Sequence, residues 1–321
     1  MNGHFNKLQA LLDQAYHKRK PLLKDTNAFR IANGRGDHLD GLVIEQYNRH
    51  FVIQLYKEYW YHRFPIIHDW LDSRLQPAYV IAKNRIFKDG RSLDNSQTQV
   101  LVDKAESKTI VTEYDIKFSV DLNDSVNSGL FLDMRRNRKV VGGICANKNV
   151  LNTFAYTCSF GVYARKNGCE AVNNVDISLK NLKHGEENYK LNDFEVRSEE
   201  FIRQDCEKYI KRAIKHKNGY DLIIIDPPSF SRFERKVFQI KRDLPKLLGL
   251  SLKLLKPQGV LFVSTNYSGI TAENLMKLIK KLSSTRRKSL RDVSVLSQDI
   301  DFPGTGAIRE SHLAAVLIKF R

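Results

Sequence analysis

Long apolar runs are missing from this chain of 321 residues. None approaches the ~20 residues that a membrane span requires, so no transmembrane helix is expected. Cysteine is scarce. The four present, Cys145, Cys158, Cys169 and Cys206, include no C-x-x-C pair. A chain of this length needs no disulfide staples, so a small secreted scaffold is excluded and no metal site is expected. Repeats and low-complexity tracts are absent too. Residues 1–12 mix charge with Phe5, Leu8, Leu11 and Leu12 at helical spacing. They carry neither the apolar stretch nor the small-residue cleavage site of a secretory leader. These absences together point to a soluble, cytoplasmic protein with reduced thiols.

What the chain has in excess is positive charge. Lys and Arg number 53 against 36 Asp and Glu, a formal net charge of +17. Such a field attracts polyanions, and nucleic acid is the commonest one inside a cell. Charge alone does not decide between a nucleic-acid partner and a lysine-solvated surface. Hydrophobic residues make up 42%, enough for real cores, and the length predicts two domains.

The pattern changes character near residue 110. Before it, a helix over 4–18 leads into short strands at 28–31, 41–44 and 51–55, the last after a turn at Asn48-Arg49. A helix bearing Phe64, Ile66, Ile67, Trp70 and Leu71 follows, then a strand at 79–82. Residues 1–108 are therefore expected to form a small α+β domain for RNA or substrate binding or for dimerisation. Gly34-x-Gly36 looks superficially like a nucleotide loop. No helix follows it, so turn glycines explain it better.

From residue 109 a hairpin (109–112 with 116–120, turning at Tyr114-Asp115) opens the second domain. Apolar strands near 149–154, 171–176, 194–202, 221–226 and 259–265 then alternate with amphipathic helices, the signature of a doubly wound parallel sheet. Two β-rich runs, 293–296 and 312–320, close the chain. The predicted fold class is α/β, a Rossmann-like sheet whose C-terminal strands are antiparallel, over 109–321.

Ligands of such sheets sit beyond the carboxyl ends of the strands, where strand order reverses. The first strand runs into Thr153-Phe154-Ala155-Tyr156-Thr157-Cys158-Ser159-Phe160-Gly161, small residues before a helix N-terminus that offers free N–H groups. The second ends in Asp176, an acid able to take both ribose hydroxyls. The third ends in Asp205, placed to accept from an adenine amino group. The fourth ends in Asp226-Pro227-Pro228-Ser229-Phe230. Asp176 and Asp205 each precede a helix and could equally be caps. A nicotinamide dinucleotide would demand Gly-x-Gly-x-x-Gly in the first loop, and only Gly161 is there.

Residues 120–321 resemble the bacterial 23S rRNA large-subunit methyltransferases of the class I, S-adenosylmethionine-dependent fold. The resemblance rests on Ser128-Gly129-Leu130-Phe131-Leu132-Asp133-Met134-Arg135-Arg136-Asn137-Arg138, on Leu151-Asn152 through Ser159, and on Asp226 through Phe230. Val175-Asp176-Ile177-Ser178 and Leu191-Asn192 match in place and spacing. Residues 20–110 resemble the small central domain of these enzymes, and no counterpart of the N-terminal PUA domain of many relatives is expected. The resemblance implies a cofactor, S-adenosylmethionine, held by Phe131, Arg138, Asn152, Phe154, Ala155, Tyr156, Thr157, Asp176, Ile177, Ser178, Asp205, Cys206 and Asp226. Cys158-Ser159 stands where the family has Gly-Gly, which puts cofactor affinity in question.

The acceptor atom follows from what is missing after the fifth strand. Methylating cytosine C5 needs a thiolate to add at C6. Ser264-Thr265-Asn266-Tyr267-Ser268 has no cysteine there, whereas the cytosine-5 members do. Guanine N7 offers a lone pair and asks only for positioning, and the Ser-x-Asn pattern resembles the guanine-N7 branch. Asp226, Pro227, Pro228, Phe230 and Asn266 are the expected base-positioning residues, with Phe230 as a stacking face. Arg232, Arg235, Lys236, Lys241 and Arg242 follow the motif and are expected to bind RNA. Arg286, Arg287, Lys288 and Arg291 form a second basic cluster.

The leading expectation is thus a methyltransferase acting on guanine N7 of 23S rRNA or a large-subunit precursor. The alternatives are a cytosine-5 or exocyclic-amino target, tRNA in place of rRNA, or a non-catalytic RNA-binding assembly factor. No membrane partner is expected, and a homodimer is left open.

Overall fold

A computed structural model describes residues 2–88, 91–92, 99–124, 127–233, 236–304 and 312–321. The chain divides into two compact units, 1–135 with 298–311, and 136–297 with 312–321. The hairpin expected to open the second domain lies in the first unit, which also receives a late segment that no local pattern announces.

In the first unit, α1 (Asn2–Arg19) precedes β1 (Ala28–Asn33), β2 (Leu42–Tyr47) and β3 (His50–Leu55). Then come α2 (Phe64–Leu75), β4 (Tyr79–Asn84), the two-residue strands β5 (Phe87–Lys88) and β6 (Arg91–Ser92), and β7 (Gln99–Asp103). The sheet order is β1-β2-β3-β4-β7, with β3 and β4 parallel across the α2 crossover. β7 is a strand that the sequence reading missed. Leu12, Phe29, Ile31, Ile53, Ile67 and Trp70 make one apolar core between helices and sheet. The hairpin pairs β8 (Lys108–Glu113) with β9 (Ile116–Asp121). Tyr114 (φ 48°) and Asp115 (φ 63°) are both left-handed, as a two-residue hairpin turn of this kind requires.

Charges in this unit are turned inward. The Arg19 guanidinium grips both oxygens of Asp37 at 2.5 and 2.6 Å, and both side chains are buried. Arg30 pairs with Glu45 at 2.6 Å. Arg135 pairs with Asp301 at 2.6 Å, and Asp301 also accepts the Arg30 amide at 3.0 Å. Gly34 (φ 51°) and Gly36 stand in a 3-10 turn. A Cβ on Gly36 would lie 2.6 Å from Pro303 Cγ, so the glycine lets the late segment pack.

The second unit opens with α3 (Arg135–Gly142), whose first residue belongs to the first unit. Strands β10 (Asn149–Thr153), β11 (Ala171–Asp176), β12 (Phe201–Arg203), β13 (Tyr220–Ile225) and β16 (Leu255–Thr265) alternate with α4 (Ser159–Lys166), α5 (Leu179–Leu191), α6 (Cys206–Lys215) and α7 (Ile240–Leu254). A short hairpin, β14 (Phe230–Phe233) with β15 (Lys236–Gln239), precedes α7; α8 (Ala272–Ser284), β17 (Leu290–Leu296) and β18 (Ala314–Phe320) close the unit. The sheet order is β12-β11-β10-β13-β16-β18-β17. Five strands are parallel, and β18 runs antiparallel between β16 and β17. The fold is the α/β sheet with antiparallel C-terminal strands that the alternation predicts. Of the run 194–202 only Phe201 and Ile202 join the ladder, in the edge strand β12 that continues to Arg203, because a 3-10 turn at Ser198–Glu200 precedes it.

Candidate functional site

Strand order reverses between β10 and β13, so their carboxyl ends define the expected ligand position. The loop leaving β10 is wound unusually tightly. Phe154 (φ 54°), Tyr156 (φ 49°) and Cys158 (φ 60°) are all left-handed, a conformation costing about 1–3 kcal/mol apiece for such residues. The loop is held by its neighbours. The Thr153 hydroxyl donates to Ile224 O at 2.7 Å, and the Ala155 amide to Val175 O at 3.1 Å.

Asp176 is the loop's main anchor. Its Oδ2 accepts the Tyr156 amide at 2.9 Å and its Oδ1 the Ser178 amide at 2.8 Å. Burial pushes its carboxyl above the usual range, and those two N–H groups hold it back. The side chain that caps α5 is Ser178, which accepts the Asn181 amide, so Asp176 is not a cap. Asp205 is one: it accepts the Lys208 amide at 2.9 Å at the start of α6.

A cleft opens here, within the second unit, at the strand ends where such sheets bind their ligands. Phe154, Asp176 and Ile177 form its strand side, with Asp205, Cys206 and Glu207 at the head of α6. Ser231 and Phe238 of the β14–β15 hairpin, with Asp243 and Leu247 of α7, form the opposite wall. Phe238 stacks obliquely on Phe154, centroids 5.5 Å apart. Cys206 Sγ accepts the Phe154 amide at 3.3 Å.

The structure thus brings together Phe154, Asp176, Ile177, Asp205 and Cys206. Asn152 does not line the cleft: its amide donates to Asn174 Oδ1 at 2.9 Å, and it is 2% exposed. Ala155 and Thr157 shape the loop without lining the cleft, and Thr157 O accepts from Asn188 at 3.0 Å. Arg138 is buried on α3, and Phe131, half-exposed, belongs to the first unit.

Cys158, part of the departure from Gly-Gly, is buried against α5 and does not line the cleft. A Cβ on Gly185 of α5 would lie 2.4 Å from Cys158 Sγ, so the thiol occupies space that a glycine on α5 leaves for it. Gly161 allows a similar approach, since a Cβ there would lie 2.3 Å from Asn174 Oδ1.

The motif after β13 forms a second cluster. Ser264 Oγ donates to Asp226 Oδ1 at 2.7 Å, and Ser229 Oγ donates to Asn266 Oδ1 at 2.9 Å. The ends of β13 and β16 are thereby laced together, with Pro227 and Pro228 in the connecting loop. Phe230 is 55% exposed. Neither Asp226 nor these neighbours line the cleft.

Of the basic run after the motif, Arg235 lies outside the described residues, as do the side chains of Arg232 and Lys236 on β14 and β15. The Lys241 amine sits 5.4 Å from the Tyr267 ring. Arg242 pairs with Asp243 at 2.8 Å and donates to Val237 O. In the second basic cluster, Arg286 donates to Leu282 O at 3.0 Å and Lys288 to Leu255 O at 2.8 Å, which ties both to the protein itself. Sequence reasoning missed Glu207, Ser231, Phe238, Asp243 and Leu247 as lining residues. The aromatic was visible, but only the hairpin's fold-back aims it at the cleft.

Comparison with known proteins is consistent along most of the chain. The family described as S-adenosylmethionine-dependent methyltransferase matches residues 30–318. A Bacillus subtilis relative, YwbD, provisionally named a ribosomal RNA large subunit methyltransferase, is 29% identical over 297 residues, covering 92% of this chain and 75% of its own length. The ribosomal RNA large subunit methyltransferase K/L of Shewanella sp. ANA-3 is 40% identical over 179 residues, 55% of this chain, and the chain spans 25% of that relative's length. Among solved structures, SMU.776, described as a methyltransferase and solved with SAH, superposes with a TM-score of 0.86 at 27% identity over 98% of this chain and 81% of that one.

The cleft suits that cofactor chemically. A carboxylate at the end of the second parallel strand can take ribose hydroxyls, apolar Ile177, Leu247 and Phe238 can flank a purine, and Asp205 can accept from an amino group. The chain belongs to the S-adenosylmethionine-dependent methyltransferase family.

Proposed function

We propose that the chain methylates ribosomal RNA of the large subunit at N7 of a guanine. The observation that carries the choice of atom is the state of the thiols. All four cysteines are buried. Burial pushes Cys145 up to about 12 and Cys169 up to about 11, and holds Cys158 well above the ordinary range. Cys206 lies in the cofactor cleft. None stands at the ends of β13 and β16, which carry Asp226 and Asn266 instead.

That equipment suits an acceptor that already has a lone pair. N7 has no proton to lose, so alignment and electrostatics are enough. When bound, S-adenosylmethionine supplies an electrophilic methyl group. Asp176 holds the ribose hydroxyls, and Asp205 with Cys206 borders the adenine. Asp226, fixed by Ser264, accepts N–H groups of the target base; Asn266, fixed by Ser229, orients it. Exposed Phe230 stacks on the base or its neighbour, which a flipped-out nucleotide requires. The large-subunit rRNA substrate is taken from the names of the relatives.

The test is transfer of labelled methyl to large-subunit RNA made with guanine or with 7-deazaguanine. Incorporation into the first and none into the second is expected. Equal incorporation into both would place the methyl group elsewhere. An Asp226→Ala variant should keep cofactor affinity and lose about 100-fold in rate.

A further inference from the structure

The excess charge sits on one layer of helices. Helices α6, α7 and α8 with the turns that follow them (206–218, 240–256 and 272–288) carry 16 Lys and Arg against 3 Asp and Glu. They pack side by side on one core with the sheet, through Ile210, Leu244, Leu248, Leu275 and Ile279. Helices α4 and α5, which pack on each other, carry with their following turns (159–170 and 179–193) 5 basic and 4 acidic residues. Right-handed crossovers running in opposite directions from β10 put these two layers on opposite faces.

The few acids of the basic layer are already used. Glu207 pairs with Lys211 at 2.6 Å and with Lys246 at 2.7 Å. Asp243 pairs with Arg242, and Glu273 with Lys277. Lys208, Lys215, Lys217, Lys253, Lys280 and Lys281 are exposed and have no ion-pair partner among the described residues. The face also has no large exposed hydrophobic side chain. A membrane-surface helix or the centre of a protein interface would need such anchors. Lysines without them suit a repeating point charge, which is what a phosphate backbone offers.

We propose that the α6–α7–α8 layer is a phosphate-binding face that holds the backbone of an RNA helix beside the cofactor cleft. Glu207, Asp243 and Leu247 line that cleft, so α6 and α7 begin at the site and carry the charge away from it. With 15 residues, α7 extends the track by about 22 Å, long enough for several phosphates. The inference rests on the RNA reading above and adds where the RNA lies.

The test compares the wild type with a combined Lys215→Gln, Lys253→Gln, Lys280→Gln, Lys281→Gln variant. Binding to a fluorescent duplex RNA is measured from about 50 to 200 mM salt. The variant should bind at least about tenfold more weakly at ~0.1 M salt, and its log–log salt slope should be smaller by about 3 to 4. Calorimetry with S-adenosylmethionine should give the wild-type affinity, which reports an intact fold. A control with Lys166, Lys180, Lys183 and Lys190 each changed to Gln removes equal charge from the α4–α5 layer and should lose clearly less. Equal binding by wild type and variant overturns this face alone, as does equal weakening by the control. If the variant keeps RNA but loses binding to polyglutamate, the face belongs to an acidic protein. A wild type that binds no RNA overturns the substrate reading as well.

Discussion

Both units are rich in basic residues and use them in opposite ways. Residues 1–135 with 298–311 hold 20 Lys and Arg and 20 Asp and Glu; residues 136–297 with 312–321 hold 33 and 16. The whole net charge of +17 thus belongs to the second unit. In the first, Arg19, Arg30 and Arg135 are spent on Asp37, Glu45 and Asp301, largely out of water. In the second, the lysines of the α6–α8 layer stand in solvent around three acids that are already paired. An arginine fork fixed on a buried carboxylate specifies geometry, whereas exposed lysines make a field. A total charge read from sequence blurs these two uses, and dividing the chain separates them.

The largest expected effect would break the structural half of that contrast. Asp37→Ala leaves the Arg19 guanidinium buried without its partner, at a cost of about 3–5 kcal/mol, read as a fall in urea midpoint. S-adenosylmethionine affinity measured well below the transition should be unchanged. An Asp37→Ala protein as stable as the wild type would mean that the pair is ornamental.

The cofactor half is sharpened by Asp176→Asn, which should weaken S-adenosylmethionine binding by about 2 kcal/mol, roughly 30-fold. The pH dependence has a definite sign. Burial raises the folded carboxyl above its ordinary value, so protonation, and with it loss of the hydroxyl acceptor, begins at higher pH than for a free aspartate. Calorimetric affinity should fall on acidification from pH ~7 toward ~4.5 in the wild type and stay flat in Asp176→Asn. For folding, a raised acid costs stability above its folded pKa, and that cost disappears as pH drops through it.

A smaller effect concerns the first loop. Gly185→Ala should cost about 1–3 kcal/mol, because its Cβ collides with the Cys158 thiol. Adding Cys158→Gly should return most of it, a coupling visible in a double-mutant cycle. Additive effects would show that the thiol is not lodged against α5.

Much of this was legible in the sequence. Alternating strands gave the sheet, and Asp176, Asp205 and the 153–158 loop fell at successive strand ends as the topology requires. The roles of single side chains were harder to read. Whether Asp205 caps a helix, faces a ligand or does both depends on where α6 starts relative to the cleft. Asn152 was expected to hold the cofactor and is instead hydrogen-bonded to Asn174, a contact made across two strands. Phe238 and Leu247 required the hairpin and α7 to fold back over Asp176. Cys158 was ambiguous until its neighbour on α5 was known to be a glycine. Local chemistry identifies a residue's capability; packing decides which capability is used.

The most direct measurement is mass-spectrometric nucleoside analysis of large-subunit RNA, before and after incubation with the protein and S-adenosylmethionine. A gain of 7-methylguanosine, about 100-fold slower with Asp226→Ala, is the predicted result. A gain of 5-methylcytidine would contradict the account, because it would require a cysteine to do what none of the four is placed to do.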